Sequence, residues 1–145
     1  MNIAFFDSGI GGLSVLQEAL ALLPNENYIY YADSDNAPYG TKTKDEVKKL
    51  TFHAVELLVS KNIKALVVAC NTATSAAVRD LRGIYDFPII GMEPAVKPAV
   101  EKNGNAGKRV LVLATSLTLK EEKFRSLVSR FDAGHIVDML PAPKL

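Results

Sequence analysis

The 145-residue sequence has 17 lysine and arginine residues against 16 aspartate and glutamate residues, so its formal net charge is only +1. This balance argues against a nucleic-acid-binding protein, which needs a basic face to bind phosphates. The single cysteine excludes an internal disulfide and a multi-cysteine zinc site, and it fits a reducing cytoplasm. The sequence also lacks a run apolar enough to span a bilayer and the basic start of a secretory signal.

Short apolar runs alternate with helical patterns along the chain. Apolar runs predict strands at residues 2–6, 28–31, 64–69, 88–91, 109–114 and 135–140, of which those at 2–6, 64–69 and 109–114 are predicted to be buried. Helical spacing predicts helices over 12–23, 72–81 and 96–102, and helices that open at residues 43 and 118. Strands that alternate with helices indicate βαβ units, so the predicted fold class is α/β, with parallel sheets flanked by helices.

Several local features refine this prediction. The first helix carries Leu13, Leu16, Leu20 and Leu23 on one face, which is typical of a helix that packs on a core. Capping boxes are predicted at residues 43–46 and 118–121, and a loop at 104–107. Two prolines in residues 92–98 indicate a boundary between two domains. We therefore expect a first α/β domain over residues 1–92 and the beginning of a second over 93–145.

Three predicted strands end in small polar residues just before a helix begins. These endings are Asp7-Ser8-Gly9, Cys70-Asn71-Thr72 and Thr115-Ser116-Leu117-Thr118. In open α/β sheets, ligands bind beyond the carboxyl ends of the strands, and the helix N-termini there favour anions. We therefore expect a carboxylate, a thiol and several hydroxyls to surround one anion-binding crevice.

Cys70 and Asp7 are the candidate reactive groups. A free cysteine is often only a small buried apolar residue, but Cys70 opens a helix, and a helix N-terminus lowers the pKa of a thiol. Near a thiol, Asp7 can handle protons, although Asp is also a common helix N-cap. The glycines at 9, 11 and 12 allow close backbone approach and match a dinucleotide fingerprint only in part. His53 and His135 are predicted packing or surface residues, so we expect no metal site.

Four ordered motifs resemble those of the glutamate racemases, which belong to the cofactor-independent aspartate/glutamate racemase superfamily. They are DSGIGGLSV at 7–15, PYG at 38–40, ACNTAT at 69–74 and GMEPAVKPA at 91–99. The resemblance implies two similar α/β domains with the active site between them, the second incomplete in this chain. It also implies racemisation of free glutamate by two cysteines without a cofactor, supply of D-glutamate for peptidoglycan, a cytoplasmic location and a homodimer.

The resemblance also assigns roles to individual residues. Cys70 matches the base that acts on the D-enantiomer, and Asp7 matches the acidic residue that assists it. The matched substrate contacts are Ser8, Tyr39, Gly40, Asn71, Thr72, Thr115 and Thr118.

The second catalytic cysteine of the family, in a Cys-Thr-His motif, has no counterpart in this sequence. We therefore expect the isolated chain to be inactive as a racemase. Two alternatives remain open. One is a glutamate- or nucleotide-binding module without catalysis. The other is a cysteine-dependent hydrolase, which needs a histidine base beside Cys70.

Overall fold

Two parallel sheets make up the strand framework of the protein, which confirms the predicted α/β class. The computed structural model describes residues 1–103 and 108–144, so the loop predicted at 104–107 lies outside the described residues. The first sheet has the strand order β2-β1-β3-β4, and the second pairs β5 with β6. The strands are β1 (Asn2–Asp7), β2 (Tyr28–Ala32), β3 (Ile63–Val68), β4 (Ile89–Gly91), β5 (Val110–Ala114) and β6 (Val137–Pro141).

Helices connect these strands in the alternating order that the sequence predicts. They are α1 (Leu13–Leu22), α2 (Lys44–Val59), α3 (Asn71–Arg82), α4 (Val96–Asn103), α5 (Ser116–Lys120) and α6 (Glu122–Phe131). Two short 3-10 turns, Ser34–Asn36 and Tyr39–Thr41, lie between β2 and α2. In the described ranges, none of the helices is both long and apolar enough to cross a membrane.

The strand register brings the polar strand ends of the first sheet to one edge. Asp7 pairs with Ala32, and Phe6 pairs with both Tyr31 and Val68. Because all these pairings are parallel, the residues that follow β1, β2 and β3 emerge on the same side. This places Asp7 and Cys70 at a common edge, as the sequence predicts.

Helices lie on both faces of the four-stranded sheet. Ala4, Phe6, Leu66 and Val68 belong to a buried cluster that also includes residues of α2 and α3. Side chains alternate along a strand, so Phe5 points to the opposite face, where it is also buried. The sequences of the strands at 2–6 and 64–69 are largely apolar throughout, because side chains on both faces of the sheet are buried.

The apolar face of α1 is more exposed than its spacing predicts. No residue of α1 is buried, and Leu13 and Leu20 are 47% and 46% exposed. The helix is held to the sheet by Tyr28, whose hydroxyl donates to the carbonyl oxygens of Ala19 and Leu23. The leucine periodicity identifies the face of α1 that burial would stabilise. Only the tertiary structure shows whether other residues of this chain bury that face.

One of the two predicted capping boxes is confirmed, and the other is wrong. Thr43 Oγ1 accepts from the Glu46 amide, and Glu46 Oε2 accepts from the Thr43 amide. Thr118, in contrast, is buried inside α5, and α6 begins after Glu121 without a side-chain cap. The reason is that Thr115 lies one turn earlier and caps α5 by accepting from the Thr118 amide at 3.3 Å.

The last strand begins later than the sequence predicts. β6 spans Val137–Pro141, whereas the prediction was 135–140. His135 has a positive φ of 50°, and Asp132 Oδ1 accepts from the Ile136 amide at 2.7 Å. These contacts form a turn where the strand was expected. Pro141 fits β6 because a residue at the edge of a sheet need not donate to a neighbouring strand.

The two-stranded sheet is covered on one face only. Its buried cluster consists of Val96, Val112, Ala114, Phe124 and Val128, contributed by α4, β5 and α6. On the other face, Leu111, Leu113 and Leu140 are exposed. The prediction that residues 109–114 form a fully buried strand is therefore wrong for the side chains that alternate away from the helices.

Candidate active site

The carboxyl ends of β1, β3 and β5 meet at a crevice of about 570 Å³. Its walls come from the loop after β1, the turn between β3 and α3, the 92–95 linker and the turn between β5 and α5. Seven of the nine residues singled out in the sequence line it: Asp7, Ser8, Cys70, Asn71, Thr72, Thr115 and Thr118. The two sheets therefore jointly form one candidate site, and Tyr39 and Gly40 lie outside its lining.

Cys70 lies at the centre of this arrangement, between β3 and α3. Its side chain is 7% exposed, and Sγ accepts from the Ala73 amide at 3.4 Å, so the thiol caps α3. Ser8 Oγ lies 3.4 Å from Sγ and forms a second hydrogen bond with it. The thiol is therefore held between a helix N-terminus and the loop after β1.

Burial raises the pKa of the Cys70 thiol above its ordinary value, and the Asp7 carboxylate raises it further. The hydrogen bonds from Ser8 and the Ala73 amide lower the pKa but do not outweigh burial. The prediction that the helix N-terminus yields a lowered pKa is therefore wrong. Desolvation disfavours the thiolate more than the helix end favours it, so the resting group at neutral pH is the protonated thiol.

Asp7 is buried at the end of β1 and organises the loop that follows. Its Oδ2 accepts from the Gly9 amide at 3.3 Å and from the Gly12 amide at 3.1 Å. Asp7 is not the N-cap of α1, since Gly12 occupies that position. Oδ1 has no hydrogen-bond partner in the described part of the chain, so one carboxylate oxygen remains available to accept a proton.

Gly12 is required by close packing against the end of β3. A Cβ at this position would lie 2.8 Å from the Ala69 Cβ and 3.0 Å from the Asp7 Cβ. Contacts this short force the backbone to shift. Gly12 therefore has a packing role, and it is not one of the two glycines, Gly9 and Gly11, that match part of the dinucleotide fingerprint.

Three threonine hydroxyls form a buried chain that joins the two sheets. Thr72 Oγ1 lies 2.9 Å from Thr115 Oγ1, which lies 3.1 Å from Thr118 Oγ1. Thr72 belongs to α3, whereas Thr115 is the N-cap of α5 and Thr118 lies within α5. Because a hydroxyl has one donor and two acceptor sites, these groups keep hydrogen-bonding capacity for a bound molecule.

Tyr39 does not line the crevice. It is 1% exposed, and its hydroxyl donates to Asp33 Oδ2 at 2.6 Å. Burial and the Asp33 hydrogen bond raise the pKa of Tyr39 far above its usual value. The crevice is lined instead by the preceding residues, Ala37 and Pro38. The role of Tyr39 as a substrate contact stays a prediction, and its observed contact organises the loop.

Gly40 lies against Thr115 and Pro143, which belong to the part of the chain that carries the second sheet. A Cβ at Gly40 would lie 2.4 Å from the Pro143 carbonyl oxygen and 2.6 Å from Thr115 Cγ2. A side chain here would push the turn after β5 away from the first sheet. Its predicted substrate contact is likewise untested, and the structure indicates a spacing role.

Sequence reasoning missed three charged residues of the region. Asp33 accepts from Tyr39 and Asn36, and its position directly after β2 was the available signal. Glu93 and Lys144 line the crevice, and Glu93 also pairs with Lys123 at 2.5 Å. No local pattern distinguishes Lys144, because its place in the crevice depends on how β6 pairs with β5.

The histidines lie away from Cys70. His53 is exposed on α2, His135 is exposed in the turn before β6, and the crevice lining includes neither. In residues 1–103 and 108–144, no group of three His, Cys, Asp or Glu side chains is arranged to hold a metal ion. The described geometry therefore offers a thiol and a carboxylate without an adjacent imidazole.

These features define an α/β protein with a thiol-bearing crevice between two parallel sheets. The family model described as Asp/Glu/Hydantoin racemase matches residues 12–142. The chain therefore belongs to the Asp/Glu/Hydantoin racemase family, as the sequence motifs predict.

Similar proteins carry the name glutamate racemase. The chain is 65% identical over 145 residues to the glutamate racemase of Halothermothrix orenii, covering all of this chain and 56% of that protein. It is 61% identical over 145 residues to glutamate racemase 2 of Bacillus subtilis, covering all of this chain and 55% of that protein. The chain thus spans about half the length of the curated relatives it matches.

Solved structures share the fold. The Escherichia coli glutamate racemase in complex with L-glutamate and the activator UDP-MurNAc-Ala superposes with a TM-score of 0.85 at 37% identity. The match covers 97% of this chain and 53% of that one. The Francisella tularensis glutamate racemase in complex with D-glutamate gives a TM-score of 0.75 at 30% identity, over 97% of this chain and 52% of that one.

Proposed function

We propose that the protein to which this sequence belongs is a glutamate racemase, which interconverts L- and D-glutamate by exchanging the α-proton without a cofactor. The observation that carries the proposal is the crevice that brings together the Cys70 thiol, the Asp7 carboxylate and the threonine hydroxyls of both sheets. The names of the relatives support glutamate as the substrate.

The chemistry needs a base on one face of the α-carbon and an acid on the other. Asp7 accepts the Cys70 proton, and the thiolate then removes the α-proton of D-glutamate. Negative charge develops on the substrate carboxylate as the proton leaves. Asn71 and Thr72, in the first turn of α3, line the crevice, and a helix N-terminus favours such an anion.

The second face needs a group from outside these residues. The sequence contains one cysteine, so Cys70 supplies the only thiol. We propose that the 145-residue chain by itself performs at most one-sided exchange, which replaces the α-proton of D-glutamate without inverting it. Full racemisation then requires a second acid on the opposite face of the substrate.

The remaining parts of the proposal follow from the resemblance. The protein supplies D-glutamate for peptidoglycan, acts in the cytoplasm and forms a homodimer, and neither a metal nor another cofactor takes part. We place the domain boundary between residues 92 and 93, at the linker after β4. The linker itself lines the crevice, which supports an active site between two domains.

Deuterium exchange tests the proposed chemistry. The protein is incubated with D-glutamate or L-glutamate in deuterium oxide, and loss of the α-proton signal is followed by NMR. Cys70→Ser is expected to slow exchange from D-glutamate by about 10²–10⁴-fold, the usual contribution of a general base. Ser75→Ala is the matched control, because Ser75 lies on α3 and its hydroxyl donates to the Asn71 carbonyl oxygen within the helix.

Near-normal exchange in Cys70→Ser would contradict the assignment of Cys70. The same experiment separates the alternatives. A binding module would retain glutamate without exchanging the α-proton. A cysteine hydrolase would show a burst of acyl-enzyme, and the exposed positions of His53 and His135 disfavour this outcome.

A further inference from the structure

Tyr30 contacts the loop that carries the candidate reactive groups. Tyr30 lies on β2, and its hydroxyl donates to the Gly9 carbonyl oxygen at 2.9 Å. Gly9 follows Asp7 and Ser8 directly, and all three line the crevice. The tyrosine hydroxyl therefore reaches the loop from the neighbouring strand.

Hydrogen bonds hold the backbone on both sides of Gly9, and no atom lies where a Gly9 Cβ would pack. A Cβ built on Gly9 meets no atom within 4 Å, whereas one on Gly12 meets Ala69 at 2.8 Å. The Gly9 amide donates to Asp7 Oδ2 at 3.3 Å, and the Gly9 carbonyl accepts from Tyr30. The amide belongs to the Ser8–Gly9 peptide and the carbonyl to the Gly9–Ile10 peptide, so the two bonds fix the backbone on either side of the Gly9 Cα and thereby limit rotation of the Ser8–Gly9 peptide.

The orientation of this peptide decides where the Ser8 side chain lies. Ser8 Oγ lies 3.4 Å from Cys70 Sγ, within hydrogen-bond distance of the sulfur. A small rotation of the Ser8–Gly9 peptide would break this contact. The Gly9 amide would leave Asp7 Oδ2 in the same movement.

We propose that Tyr30 is a positioning residue of the site: its hydroxyl holds the Gly9 carbonyl so that Ser8 Oγ reaches the Cys70 thiol and Asp7 keeps the Gly9 amide. The inference rests on the proposed function, because it takes Cys70 as the reacting group. It concerns a residue that touches neither the thiol nor a substrate. Tyr30 acts through the loop alone.

Tyr28 provides a matched control on the same strand. It lies two residues before Tyr30, so both side chains point to the same face of the sheet. The Tyr28 hydroxyl also donates to backbone carbonyls, those of Ala19 and Leu23, but these lie at the far end of α1. Tyr28→Phe and Tyr30→Phe thus remove the same atom in similar settings, and only the Tyr30 hydroxyl bonds to a residue that lines the crevice.

Alkylation of the single thiol measures the position of Ser8. Besides burial, Asp7 raises the pKa of the Cys70 thiol, and hydrogen bonds from the Ser8 hydroxyl, the Ser8 amide and the Ala73 amide lower it. Tyr30 and Tyr39 also interact electrostatically with the thiol. The Ser8 hydrogen bond favours the thiolate, which is the form that reacts with iodoacetamide. Loss of this bond therefore slows alkylation at fixed pH.

The experiment compares four variants of the chain: Tyr30→Phe, Tyr28→Phe, Ser8→Ala and the double variant Ser8→Ala/Tyr30→Phe. Alkylation rates are measured by mass spectrometry across a pH series, and thermal melts are followed by circular dichroism. At about pH 8, Tyr30→Phe is expected to react about threefold more slowly than the parent, the effect of losing one weak neutral hydrogen bond. For Tyr30→Phe, the pH at which alkylation reaches half of its maximal rate is expected to move upward. Tyr28→Phe is expected to alkylate at the same rate as the parent.

The double variant tests the route through Ser8. Ser8→Ala slows alkylation to a similar extent, and adding Tyr30→Phe slows it no further, because both changes remove the same contact. Unchanged or faster alkylation in Tyr30→Phe, or additive effects in the double variant, would overturn the inference. Alkylation needs no turnover, so such a result would leave the proposed racemisation intact. Failure of the Cys70→Ser exchange test would overturn the function alone.

Discussion

The four-stranded sheet carries helices on both faces, whereas the two-stranded sheet carries them on one. Leu66 of β3 is fully buried, while Leu113 of β5 is 50% exposed, although both lie in equally apolar runs. The first sheet holds the thiol and the carboxylate, and the second contributes hydroxyls. The candidate reactive groups therefore lie in the better-covered half. The half-covered sheet completes the wall of the crevice.

The variant with the largest expected effect tests whether residues of the first sheet carry out the proton transfer. Asp7→Asn is expected to slow α-proton exchange from D-glutamate by about 10²–10⁴-fold, because an amide cannot accept the thiol proton. The Asn side-chain oxygen can still accept from Gly9 and Gly12, so stability is expected to fall by about 1 kcal/mol or less.

The exchange rate and the melting temperature of Asp7→Asn distinguish a role of Asp7 in proton transfer from a purely structural role. Asp35→Asn, in the exposed loop after β2, is the control and should leave exchange unchanged. If Asp7→Asn altered substrate affinity or stability but left kcat at the parent value, Asp7 would have a structural role only.

A pair of leucine-to-alanine variants measures how much burial of the side chain contributes to stability in each of the two sheets. Leu66→Ala is expected to reduce the free energy of unfolding by about 2–5 kcal/mol, since it opens a cavity in a closed core. Leu113→Ala removes a half-exposed side chain and is expected to change it by about 0.5 kcal/mol or less. Urea titrations of both variants provide the comparison. A large loss for Leu113→Ala would mean that the exposed face is covered in solution.

The buried hydroxyl chain tests how strongly the two sheets are joined. Thr115→Val removes the bonds to Thr72 and Thr118 and the cap of α5, so we expect a loss of about 1–3 kcal/mol in stability. Thr115→Ser keeps the hydroxyl and serves as the control in the same denaturation experiment. Equal stabilities of the valine and serine variants would show that packing of the threonine methyl, and not the hydroxyl, joins the sheets.

The smallest effect concerns the exposed ion pair between the two halves. Lys44 Nζ lies 3.1 Å from Glu121 Oε2, linking α2 to the residue before α6. Lys44→Met is expected to reduce stability by less than about 1 kcal/mol, because solvent screens the pair. Lys48→Met, which removes an exposed pair with Asp80 on α3, is the matched control within the first half. A loss of several kcal/mol in Lys44→Met alone would show a stronger electrostatic link.

Local sequence patterns determined the strand positions, the alternation of strands and helices, and the grouping of polar strand ends. Each depends on interactions between near neighbours or on the general geometry of parallel sheets. The capping box at Thr43 was predictable for the same reason, because both of its hydrogen bonds join residues three positions apart. The motifs around Asp7 and Cys70 likewise indicated five of the residues that line the crevice, and the polar ending at 115–118 indicated two more.

Tertiary structure alone decided the properties that depend on what covers a residue. Burial raises the pKa of Cys70 although its helix position favours a lower one, and Tyr39 donates to Asp33 instead of lining the crevice. The contact between Gly40 and Pro143 joins residues that are distant in the chain, so no local pattern encodes it. Desolvation and long-range packing arise only after the sheets assemble, and they determine the geometry and the protonation of the site.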